Sequence, residues 1–312
     1  MKFLRSNINL VMICSGVLGY IIIIGLFFFE DIFTATHSIN TGIEPTNLFY
    51  NYHPAYLLLL ACAILQGVVW FILIFPATAI ISRIKKELGA GYRIWPTLLI
   101  LLLALFIVII ALKASIFQYL SPPVSPYKHD GVKNMLFIGT ALLMGFYFLL
   151  GIVMVGRKCL QKMEQKDYNV SDYRRLRSYQ DLLLNFTGVI LSLGVISSIL
   201  FHRAFIEAGG EAHQYPPDFS LMFGFLNSLL MLIFYLPNHF IMLDYGRRIV
   251  SRKYPLEKEN EEIIKENLDN QSNLSKNLKL DLTFTESLKN AILILSPILS
   301  GLLPKFFELF GK

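Results

Sequence analysis

Apolar residues in this chain come in long blocks rather than as stripes with helical spacing. A run of about 20 apolar residues matches the ~30 Å hydrocarbon thickness of a bilayer at 1.5 Å rise per residue. Six stretches reach that length, at about 8–29, 55–81, 95–112, 134–156, 182–202 and 220–243, and none contains a run of charges. The pattern predicts an all-α fold, a polytopic membrane helix bundle of six transmembrane spans arranged as three hairpins. The hairpins close through 30–54, 113–133 and 203–219, the last two stiffened by Pro122, Pro123 and Pro126 and by Pro216 and Pro217.

The blocks divide the chain into a six-span bundle over 1–245, a polar linker or helix over 246–282, and an amphipathic segment over 283–312. In that last segment Leu288, Ile292, Leu295, Leu299, Leu302, Phe306 and Leu309 follow helical spacing, with Lys289, Ser296, Ser300, Lys305 and Glu308 off the stripe. Its uncharged part, Asn290 to Pro304, is broken by Pro297 and Gly301 and is short for a span. That length suits a cytoplasmic helix at the membrane interface, or one docked under the bundle. A seventh span would put Lys312 outside.

The first block starts with Lys2 and Arg5, as a secretory signal does. Its apolar run is longer than the 7–15 residues of a signal core and ends in Phe29-Glu30-Asp31 without a small-residue cleavage site, so it reads as a retained span.

Charge gives the blocks an orientation. Segment 30–54 has no Lys or Arg, 82–94 has four, 113–133 has three, 157–181 has seven, 203–219 has one, and the tail from 244 has eleven. With Lys2 and Arg5, 24 of the 28 basic residues fall on one side of the predicted bundle. Basic residues near span ends are retained in the cytoplasm. The expected location is therefore the cell membrane, with both termini cytoplasmic. The net charge of +6 then reflects a basic rim facing anionic lipid headgroups, and nucleic acid is not an expected partner. A second copy or another membrane protein is.

Candidate chemistry is sparse. Serine-nucleophile, phosphate-loop and dinucleotide-binding patterns are absent from the sequence, which points away from an enzyme. No carboxylate falls inside a span, and carboxylate-driven pumps place one there. The polar span residues Gln66, Asn227, Ser228, Asn238 and His239 are candidates to line a path. Pro76 and Pro237 are candidate kinks that free backbone carbonyls. Small-residue pairs such as Ala141 with Gly145 and Gly188 with Ser192 suit close helix contact. On the predicted outer side, His53, His129, His202 and His213, with Asp130 and Glu211, form a set compatible with a divalent metal, although no H-E-x-x-H spacing is present. No other cofactor is expected. The three cysteines do not suggest a disulfide framework. The leading expectation is a non-enzymatic channel or pore-type component, or a membrane effector gated through its cytoplasmic tail. The alternatives are a metal-dependent membrane enzyme and a scaffold or assembly partner.

Overall fold

The structure is a computed structural model, and it describes residues 16–18, 21, 54–89, 130–207, 218–256, 261–280 and 290–302. The predicted spans at 95–112 and, apart from four residues, at 8–29 lie outside the described residues. Among the described residues every regular element is helical. In chain order they are α1 (Pro54–Leu88), α2 (Asp130–Glu164), α3 (Val170–Glu207), α4 (Asp218–Lys253), α5 (Glu261–Asn277) and α6 (Asn290–Leu302). The first four are long and apolar enough to cross a membrane.

These four helices are 35 to 38 residues long. At 1.5 Å per residue they exceed the ~30 Å hydrocarbon layer by several turns. The surplus is the charged stretch at one end of each. Residues 157–164 and 170–181, which composition marks as an inner loop, are helical, and only 165–169 connects them. Lys, Gln, Glu and Arg are strong helix formers, so the helix continues once it leaves the apolar layer. α2 stops with Lys166 at φ 54° and the Asp167 amide bonded back to the Lys162 carbonyl. α3 restarts at once, because the Asn169 side chain accepts the Ser171 amide at 2.8 Å as an N-cap.

Cross-helix contacts fix the directions. Lys158 lies at the end of α1, Gly151 lies between Ile81 and Leu183, and Cys62 lies beside Ser197. Ser198 and Tyr173 of α3 meet Ser220 and Gly246 of α4, so α1, α2 and α4 run one way and α3 runs against them. The basic ends of all four therefore collect at one end of the bundle. Among the described helices α2 is the most enclosed, with 67% of its apolar stretch buried against 28% for α1. Its Phe148, Leu149, Ile152 and Met154 pack into the core with Leu183, Leu184 and Ile190 of α3. Gly156 lets α4 approach, since a side chain there would occupy the space of the Asn238 amide.

The helices carry large apolar side chains outside as well as in the core, and place polar ones inside. On α4, Ser220, Asn227, Ser228, Asn238 and His239 point inward, while Phe225, Ile233 and Phe240 are more than half exposed. Hydrocarbon as the surrounding medium makes that arrangement favourable, because exposed apolar side chains cost nothing there and polar groups seek partners inside. Both α1 and α4 continue through their prolines, Pro76 and Pro237.

Candidate functional site: a buried polar layer and the helix that borders it

Three helices bring polar residues to a common depth. Counted from the ends away from the basic residues, Gln66 is 12 residues in from Pro54, Ser197 is 10 from Glu207, and Asn227 is 9 from Asp218. Gln66 and Asn227 are fully buried, and Ser197, Ser198, Ser220 and Ser228 nearly so. The Ser197 hydroxyl donates to Gln66 Oε1 at 2.5 Å, and the Cys62 thiol lies 3.5 Å from the same hydroxyl. The hydroxyls of Ser198 and Ser220 are 3.5 Å apart across α3 and α4.

The layer has more hydrogen-bonding capacity than the described residues use. Among the described residues, Gln66 Nε2, both polar atoms of the Asn227 amide and Ser228 Oγ have no hydrogen-bond partner. An unsatisfied buried polar group costs about 1–3 kcal/mol, and more in a hydrocarbon-surrounded bundle. Such atoms call for a partner such as enclosed water or a polar solute, and Arg175 Nε and Gln180 Nε2 at the basic end share this state among the described residues.

Below this layer, nearer the basic end, the remaining two path candidates divide. Asn238 donates to the Phe234 carbonyl of its own helix at 2.7 Å, a local bond that satisfies it. The His239 ring stacks on Tyr235, and its Nδ1 shares a 3.1 Å hydrogen bond with the Tyr235 hydroxyl. Asn290, the first residue of α6, donates to the same hydroxyl at 3.1 Å. Asn290 belongs to no sequence motif. The only signal for Asn290 is its place at the head of an uncharged run.

α6 docks in the groove between α3 and α4. Ser192 donates to Ser296 at 3.0 Å, and Ser296 in turn donates to the Leu293 carbonyl at 2.7 Å, the acceptor that Pro297 leaves free. Gly224 admits the Pro297 carbonyl, and Gly301 packs against the backbone of Ser220 and Leu221. Ile294, Pro297 and Gly301 face the bundle, while the stripe residues Ile292, Leu295 and Leu299 are nearly half exposed. The described stripe residues Ile292, Leu295 and Leu299 thus face away from the bundle rather than into it.

At the basic end a charged network joins three helices. Asp172 accepts from Lys162 at 2.7 Å and from Arg175 at 2.9 Å, Arg175 also reaches Glu87 at 3.1 Å, and Lys162 pairs with Asp167. Lys158 caps the end of α1 by donating to the Glu87 carbonyl at 2.5 Å. Arg177 holds the tail, donating to the carbonyls of Leu278 and Lys279 at 2.9 and 2.8 Å, and Leu280 plugs the space beside Gly246 and Tyr173.

The histidine set is not assembled by the described residues. His202 lies partly buried on α3, Asp130 is the first residue of α2, and His53, His129, Glu211 and His213 lie outside the described residues. Among the described residues no three His, Cys, Asp or Glu side chains are disposed to hold a metal. Cys62 and Cys159 are both free and buried.

The described residues define a class: a helical bundle in which four helices are long and apolar enough to cross a membrane, with polar side chains inside and their basic ends at one face. No family model, curated protein or solved structure matches the chain.

Proposed function

We propose that this protein is a non-enzymatic membrane component of channel or pore type. It sits in the cell membrane with its basic end in the cytoplasm, against anionic headgroups. The observation that carries the reading is Asn227, a fully buried amide whose two polar atoms have no partner among the described residues. Gln66 on α1 and Ser228, the next residue of α4, repeat the pattern. A solute or a file of water passing between α1, α3 and α4 would satisfy these groups without any midplane carboxylate, as uncharged pores do. In this reading α6 is the regulatory element, because its Pro297–Gly301 end borders Gly224 and Ser220, within one or two turns of Asn227.

Flux measured in liposomes tests the proposal. The full chain and a chain ended after Leu280 are reconstituted, and release of small ions and of uncharged polar solutes is followed. The proposal expects solute passage that increases when α6 is removed. No passage of either kind in both forms sinks it.

A further inference from the structure

We infer that α6 is a membrane crossing, carrying the chain from the basic end of the bundle to the opposite end. Three observations carry this independently of any transport activity.

The first is register. Leu280 packs beside Gly246 and Tyr173, at the basic end. From there the contacts advance in one direction. Asn290 meets Tyr235, Leu293 and Ser296 meet Gly188 and Ser192, Pro297 meets Gly224, and Gly301 meets Ser220. Along α4 the partners run from 246, beside Leu280, to 235, 224 and 220 beside α6, which covers the apolar part of the helix. α6 is therefore antiparallel to α4 and parallel to α3, and it ends beside the first turn of α4 rather than under the bundle.

The second is the arrangement of its faces. A surface helix in water buries its leucines and exposes its serines. α6 differs: it turns Asn290, Ser296 and Gly301 onto α3 and α4 together with Ile294 and Pro297, and leaves Ile292, Leu295 and Leu299 outward. Such an outward face is favourable against hydrocarbon.

The third is the chemistry of the contact. Gly188, Gly224 and Gly301 bring backbone against backbone, and the Ser192–Ser296 and Tyr235–Asn290 bonds join helices across the groove. Helices associate in a bilayer through small residues and interhelical hydrogen bonds of this kind. The 13 residues of α6 span only ~20 Å at 1.5 Å each, which is why length alone argues against a crossing. Its neighbours, not its length, set its depth.

The consequence is topological: the chain after Leu302 lies on the opposite side from α5. Single cysteines test it in the full chain with Cys14, Cys62 and Cys159 replaced by alanine. Lys312→Cys reports the chain end, and Ser251→Cys, exposed on the last turn of α4, reports the basic end. Cells expressing each are treated with a membrane-impermeant maleimide before and after permeabilisation. The expected result is full labelling of Lys312→Cys in intact cells, with Ser251→Cys labelled only after permeabilisation. The reverse pattern also supports a crossing, but it overturns the cytoplasmic placement of the basic end proposed above. Labelling of both cysteines under the same condition overturns the crossing.

Discussion

Ser192 of α3 and Ser296 of α6 share a 3.0 Å hydrogen bond across 104 residues of chain. Ser296 donates its own proton to the Leu293 carbonyl, so one hydroxyl repairs the helix at Pro297 and ties it to its neighbour. A hydrogen bond of this type contributes about 1 kcal/mol, and interhelical ones average somewhat less. Ser296→Ala is expected to lower stability by about that amount. A double-mutant cycle with Ser192→Ala, read by unfolding in detergent, is expected to show a positive coupling energy. Simple additivity would show that the bond contributes nothing.

At the other end of the tail, Arg177 holds the carbonyls of Leu278 and Lys279. A hydrogen bond from a charged donor contributes roughly 1.5–3 kcal/mol, reduced here because the contact is partly exposed. Arg177→Met keeps much of the stem and removes the donors. Amide exchange over 261–280 is expected to accelerate by about tenfold, the equivalent of ~1.4 kcal/mol, while the core of α2 is unchanged. Unchanged exchange in the tail would contradict the anchor.

Much of this was legible in the sequence, and what was not has physical reasons. The four long helices follow from apolar blocks, because a bilayer imposes a length that few other environments do. The gathering of Lys85, Lys158, Arg175 and Arg252 at one end follows from the alternation of basic loops. Gln66, Asn227 and Ser228 stand out because polar groups are rare within such blocks. The helical run through Arg157–Glu164 was hidden, since charge reads as loop although these residues favour helix. The facing of α6 was hidden for a different reason. Periodicity identifies an apolar stripe but not the medium it faces, and in hydrocarbon the stripe turns outward. The Tyr235–Asn290 bond joins residues 55 apart through a loop of arbitrary path, and no local pattern encodes it.

Asp172 is the hub of the basic-end network, accepting from both Lys162 and Arg175. Asp172→Ala leaves Lys162 with Asp167 and Arg175 with Glu87. The groups are partly exposed, so the loss is expected to be modest, about 1 kcal/mol, and smaller at high salt. Thermal unfolding in detergent at low and high ionic strength checks both. A loss insensitive to salt would indicate packing rather than charge.

Gly156 is predicted to be intolerant of a side chain, because Asn238 fills the space a Cβ would need. Gly156→Val would push α4 away from α2 and break the Asn238 bond to Phe234, costing about 1–3 kcal/mol as overpacking does. Gly139, with open space around it, is the control: Gly139→Ala is expected to leave the unfolding temperature unchanged or raise it. Equal effects at the two glycines would contradict the packing described.

The proposed function turns on Asn227 lying in a polar layer that water or a polar solute reaches. In the cysteine-free background, Asn227→Cys is reacted in liposomes with a small, water-soluble, charged thiol reagent. Met231→Cys, one turn away and fully buried in the apolar core, is the comparison. Modification of Asn227→Cys with Met231→Cys protected is the expected result, and protection of both would contradict an accessible layer.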